Sequence, residues 1–149
     1  MKVSVMDDLD KRLLDMLNMN ARESVSSLAL ALNVSRATIK DRMSKLEKAG
    51  IIKGYGVRLG QDYTNRRIAA HVMVSVDTNV GADVIIALKK MANLDALYAV
   101  SGIYDMIAVL HGETTEEIDR DLDNIRKIRG ISNTTSSIIL STKLEKGLG

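Results

Sequence analysis

The stretch Ser24–Ala49 reads SVSSLALALNVSRATIKDRMSKLEKA, and it leaves the chain few choices of fold. Leu28 and Leu32 stand four apart on one helical face, while Ile39, Met43 and Leu46 mark the inward stripe of a second helix. Ala29 is small enough to let the two helices cross closely. Asn33, four residues later, tolerates the left-handed conformation that a tight turn demands. Val34 falls just past that turn, and Ser35 offers a hydroxyl as N-cap of the second helix. A small residue, a turn former four on and a buried aliphatic six further on is the spacing of a helix-turn-helix. Its second helix would run from Ser35 to Ala49.

With Ile39, Met43 and Leu46 inward, that helix turns Ser35, Arg36, Ala37, Thr38, Lys40, Asp41, Ser44, Lys45 and Lys48 outward, and these are the expected DNA-contacting residues. Arg36, Thr38 and Lys40 suit base or groove contacts, whereas Lys45, Lys48, Lys53 and Arg58 suit phosphates or water. Arg42 stands apart as a candidate structural residue. From Ser35 to Lys53 six basic residues face only Asp41 and Glu47, a net of +4. A solvated helix face is the plain alternative, but spacing and charge together point to DNA.

Charge is divided along the chain in the same sense. Residues 1–60 hold eleven Lys or Arg against seven Asp or Glu, a net of +4, and residues 61–149 hold ten against twelve, a net of −2. Four tyrosines with no Phe or Trp leave few stacking platforms for single strands or RNA, so duplex DNA is the expected partner. With no Cys and only two distant histidines, His71 and His111, neither a disulfide nor a structural metal is expected. The charged start MKVSVMDDLDKR has no signal-peptide core, and no run approaches a membrane span; a cytoplasmic protein is expected.

The remaining chain divides into two parts. Residues 7–19 read as a first helix with acid at its N-terminus and Leu9, Leu13, Leu14 and Leu17 inward, completing a three-helix core. After Gly50, residues 51–59 (IIKGYGVRL) read as a wing or exit strand, which closes a DNA-binding domain over 1–60. The polar segment 61–67 is the expected linker, and residues 68–149 form a second domain. There the period switches to two. A strand over 68–76 is followed by a helix over 82–92 with Ile85, Leu88 and Ala92 inward, then a strand from about 94 to 101. A turn at Gly102–Asp105 leads to the strand Met106–Leu110. Thr114 and Glu117 stand in capping-box spacing before a helix with stripe Ile118, Leu122 and Ile125, and a last strand runs from about 131 to 140. Strand, helix, strand, strand, helix, strand predicts an α+β, ferredoxin-like βαββαβ domain: a four-stranded antiparallel sheet with both helices on one face. Met106–Leu110 is apolar on both faces, so the uncovered side calls for a second copy of the sheet. A homodimer would also set two helix-turn-helix units about one DNA turn apart.

The acidic run DDLDKRLL at 7–14, Ala21-Arg22, SRATIKDRMSKLEKAGIIKGY at 35–55, Gly-Ile-Tyr-Asp at 102–105 and the tail from Gly130-Ile131 through Thr134 and Ser136 to Ile138-Ile139-Leu140 together resemble the leucine-responsive regulator and AsnC (Lrp/AsnC) family of prokaryotic transcription factors. The resemblance spans nearly the whole chain. It implies a DNA-binding transcriptional regulator, without catalytic residues, whose second domain senses a small effector, an amino acid. It further implies dimers, often assembled as rings of four. Carried over, the effector positions are Gly102, Tyr104, Asp105, Thr134 and Ser136. The chemistry suits them, since glycine admits a ligand to the backbone, Asp105 could accept from an ammonium group, and the hydroxyls could bond either end of an amino acid. Ile103 brings an apolar side chain to a position often polar in relatives.

Two other functions share this plan. One is an architectural, nucleoid-type protein that wraps DNA without an effector. The other is an enzyme resembling tetrapyrrole-processing decarboxylases that have lost DNA binding; the basic second helix argues against it, and nothing in the sequence pairs His71 or His111 with a nucleophile or base.

Overall fold

A computed structural model of the chain describes residues 6–64 and 66–145. The outermost residues of the two expected domains, 1–5 and 146–149, and Asn65 of the expected linker lie outside them. The chain forms two compact units, one reaching Arg58 and the other beginning at Leu59.

The first unit holds three helices, α1 (Asp8–Met19), α2 (Val25–Leu32) and α3 (Arg36–Lys48). Each begins on a residue whose side chain accepts an orphan backbone N–H: Asp7 from Asp10, Ser24 from Ser27, and Ser35 from Thr38. Asp10 returns the bond to the Asp7 N–H, which completes a capping box. Asn33 ends α2 at φ 55°, ψ 47°, the left-handed turn expected of it. Leu13, Leu17, Leu28, Ala29, Leu32, Ile39 and Leu46 are the buried core, with Leu9, Leu14, Val34 and Met43 packed around them.

The expected exit strand over 51–59 does not form. The N–H groups of Gly50 and Ile51 instead bond back to Glu47 and Leu46, the two bonds of a Schellman ending, and Ile51 packs on the core that holds Leu46. Residues 53–60 follow without regular structure. An isolated strand has no ladder to join, and Gly54 and Gly56 weaken it further.

The second unit opens with a single helical turn, α4 (Gln61–Thr64), inside the segment read as an irregular linker. It continues as β1 (Ile68–Val76), α5 (Gly81–Lys89), β2 (Leu94–Ala99), β3 (Met106–Gly112), α6 (Thr115–Arg126) and β4 (Ile131–Ile138). The sheet order is β2-β3-β1-β4 and all three pairings are antiparallel. This is the ferredoxin-like arrangement. Ala70, Val72 and Val74 of β1 and Met106, Ala108 and Leu110 of β3 turn one face toward Val84 and Leu88 of α5 and Ile118 and Ile125 of α6. The inward residue of α5 is therefore Val84 beside Leu88; Ile85 is half-buried, and Ala92 is exposed beyond the helix end. Thr114 caps α6 by accepting from Glu117, but Glu117 reaches back to the N–H of Glu113, one residue earlier than a capping box requires. Among the described residues no helix is long and apolar enough to cross a membrane.

Candidate functional site

On α3 the buried stripe of Ile39 and Leu46, with Met43 half-buried, fixes which side is free. Arg36, Ala37, Lys40, Asp41, Lys45 and Lys48 are exposed, as is the cap Ser35, while Thr38 and Ser44 are half-buried. All nine expected DNA-contacting residues thus lie on or at the edge of one accessible surface. Four are partly engaged, in two pairs. The Ser35 and Thr38 hydroxyls lie 2.8 Å apart at the helix start, and Lys45 pairs with Asp41 one turn earlier at 3.0 Å. Exposed pairs of this kind are weak and readily exchanged for a phosphate. Arg36, Lys40 and Lys48 leave positive charge at both ends of the helix.

Arg42 behaves differently. It turns from the exposed side toward the start of α1, where its Nη1 donates to Asp7 Oδ2 and, at 3.1 Å, to Asp10 Oδ1. Hydrogen bonding from Arg42, then from the Asp10 N–H, holds the Asp7 carboxyl below its ordinary value, and the two carboxylates raise the guanidinium. A second tie reaches α3 from the chain beyond its C-terminus. The Tyr55 hydroxyl donates to Glu47 Oε1 at 2.8 Å, and partial burial with that carboxylate pushes the phenol up to about 12. Sequence reasoning missed the acidic partners of Arg42 and the Tyr55 contact, because both join residues eight or more apart through tertiary packing. Acid favoured at a helix N-terminus already accounted for Asp7 and Asp10.

In the second unit the turn between β2 and β3 carries Gly102, Ile103, Tyr104 and Asp105. Gly102 sits at φ +123°, a conformation that excludes ordinary side chains, although the space beside it is open. Tyr104 reaches across the sheet, its hydroxyl 2.8 Å from Thr135 Oγ1 on β4. Asp105 Oδ2 accepts the Val76 N–H at 2.7 Å, where a register shift interrupts the β1–β4 ladder. That carboxylate is thus already half-committed to holding a strand end. Met73, Ala99, Val100, Ser101, Gly102, Ile103, Tyr104 and Ile107 line an open cleft of about 700 Å³ beside the turn.

Gly102 and Tyr104 come together at this cleft and Asp105 follows directly, but Thr134 and Ser136 do not join them. They pair with Val74 and Val72, so they occupy the face toward the helices, whereas Tyr104 meets Thr135, which pairs with Met73 on the other face. Alternation along β4 puts neighbours on opposite sides. The side that Tyr104 would take could not be read from spacing. His71 and His111 lie on that same open face, with His111 Nδ1 2.5 Å from Asp95 Oδ1.

A helix-turn-helix with a basic free face, joined to a ferredoxin-like unit with a Gly-x-Tyr-Asp turn, matches known proteins along its length. The model for winged helix-turn-helix DNA-binding domains matches residues 6–53, and that for the Lrp/AsnC ligand binding domain matches residues 69–148. The chain belongs to the Lrp/AsnC family. It is 32% identical over 137 residues to the HTH-type transcriptional regulator LysM of Saccharolobus solfataricus, covering 91% of this chain and 94% of that one. LysM of Sulfurisphaera tokodaii is 31% identical over 136 residues, covering 90% and 94%. In fold it is similar to Escherichia coli AsnC, with a TM-score of 0.88 at 21% identity over 97% of this chain and 99% of the other. As an Lrp/AsnC protein the chain is a transcriptional regulator with a DNA-binding and a ligand-binding domain, and not an enzyme.

Proposed function

We propose that this Lrp/AsnC protein is a sequence-specific regulator that lays α3 in the major groove as a homodimer and answers to an amino acid. The observation that carries the DNA half is the division of α3: its aliphatic stripe is buried and Arg42 is folded away, while Arg36, Lys40, Lys45 and Lys48 face solvent together. Ser35, Arg36, Ala37, Thr38 and Lys40, at the N-terminal end, are placed to meet base edges. Asp41, Ser44, Lys45 and Lys48 follow along the groove wall.

The effector is assigned to the cleft beside Gly102, Tyr104 and Asp105, with Thr135 in place of Thr134 and Ser136 at the side of Tyr104. Support comes from an open concavity with a hydroxyl pair, a carboxylate oxygen left over at Asp105, and apolar walls from Met73 and Ile107. A structural neighbour from Neisseria meningitidis, 21% identical with a TM-score of 0.85, is described as a transcriptional regulator in complex with L-Met. Two-fold pairing through the open sheet face would make the dimer, and four dimers a ring.

Fluorescence anisotropy on a duplex from upstream of the protein's own gene and on a scrambled duplex tests this. Each is titrated at two salt concentrations, with and without the twenty amino acids. The expected result is preference for the upstream duplex, at least ten-fold at about 150 mM salt and altered by amino acids. Equal, salt-sensitive binding to both duplexes, unmoved by amino acids, would instead identify an architectural protein.

A further inference from the structure

We propose that Arg42, although it lies on the basic DNA-reading helix, makes no contact with DNA and is a positioning residue that keys the rotation of α3 to the start of α1 through Asp7 and Asp10. The inference rests on α3 being the helix that reads DNA. Three observations carry it. First, one guanidinium nitrogen donates to both carboxylates, and among the described residues it makes the hydrogen bonds and ion pairs that tie α3 to the start of α1. Second, the carboxylates are themselves fixed: Asp7 Oδ1 accepts the Asp10 N–H at 2.9 Å, and Asp10 Oδ2 accepts the Asp7 N–H at 3.3 Å. The acceptors of Arg42 are thus built into a helix cap instead of swinging on free side chains. Third, Asp7, Asp10 and Arg42 line a concavity with Ala37, Thr38, Asp41 and Lys45, residues of the proposed DNA surface. A change in the clamp would be felt where α3 meets the groove.

Aliphatic packing alone leaves a helix free to roll by small angles, because dispersion contacts have little direction. A charge-assisted bond to two anchored carboxylates has direction, and it removes that freedom. The same arrangement fixes what Arg42 cannot do. Lending its charge to a phosphate would strand two carboxylates beside a polyanion.

Two sets of variants of the full-length protein, measured on the upstream duplex over a salt series, decide the matter. Asp7→Asn/Asp10→Asn removes two negative charges near DNA while keeping oxygens that still cap α1. If Arg42 were a phosphate contact, freeing it would leave affinity unchanged or raise it. As a positioning clamp its loss should weaken binding about five- to ten-fold. Arg42→Gln should weaken binding at least as much yet leave the slope of log K against log salt at the wild-type value. Lys48→Gln should lower that slope by roughly 0.9, the signature of one lost phosphate. Unchanged or tighter binding by the double Asn variant, or a slope reduced by Arg42→Gln, would overturn the proposal. Should Arg42→Gln lose its helical circular dichroism, the double Asn variant decides alone. Failure of the wild type to bind any duplex would instead sink the reading of α3.

Discussion

Among the described glycines, Gly130 tolerates change least. A methyl group built there would lie 2.3 Å from Val80 Cγ2 and 3.2 Å from Val84 Cγ2, at a backbone φ of +101°. Both neighbours belong to the packing of α5 on the sheet, and neither is the loose end of a long side chain. Gly102 has a similar φ, +123°, but nothing within 4 Å. The two positions therefore separate strain from crowding. Gly102→Ala should cost about 1–2 kcal/mol, the strain of the left-handed region alone. Gly130→Ala adds overpacking and should cost about 3–5 kcal/mol. Urea unfolding followed by far-UV circular dichroism measures both, and equal losses would show that the Val80 contact relaxes freely. From the sequence Gly130 is legible only as the residue that precedes the last strand. That it also seats Val80, the residue capping α5, depends on a contact across some fifty positions that no local pattern reports.

At the scale of elements, the helices and strands were legible because their caps and periods are local. Asp7, Ser24, Ser35, Asn33 and Thr114 each do what their chemistry favours, so α1 and α3 fall within a residue of expectation and α6 begins directly after Thr114. What was not legible is what a distant partner decides: whether 51–59 finds a strand to pair with, which face of β4 Tyr104 meets, and where Arg42 turns. The Tyr55–Glu47 bond belongs to this class, and it has a measurable consequence. The folded phenol holds its proton to about pH 12 against 10.0 for the free group. A group whose folded value is raised adds stability that is complete below pH 10 and disappears as pH climbs through 12. Tyr55→Phe should therefore cost roughly 0.5–1.5 kcal/mol near pH 8. The gap from wild type should close by pH 12. No gap at any pH would mean that the hydroxyl bond adds nothing and the ring packing everything.

For the whole molecule, the proposed homodimer is assigned to the open face of the sheet. Met73 of β1, Ile107 and Val109 of β3 and Ala96 of β2 are half-buried on the face opposite α5 and α6, beside Tyr98 at 53% exposure. A polar cluster of His71, Thr135 and Ser137 borders them on the β1–β4 side. Apolar centre and polar border are the anatomy of an interface between folded partners. Two-fold pairing of this face with itself places every substitution at two symmetric sites. A micromolar dimer is held by only about 8 kcal/mol, while an unpaired carboxylate brought into such a centre costs several kcal/mol at each occurrence. Ile107→Asp, struck twice, should therefore abolish the dimer. The chain itself should stay folded, because Ile107 points away from the core that Ala108 and Leu110 share with the helices. Sedimentation velocity at about 10 μM should show a monomer with unchanged far-UV circular dichroism. Its affinity for a duplex with two half-sites should drop about a hundred-fold, since the second α3 is no longer delivered at high local concentration. Affinity for a single half-site should hardly move. A variant that remained dimeric would place the interface elsewhere on the chain, and a dimer lost without loss of duplex affinity would show that one α3 suffices.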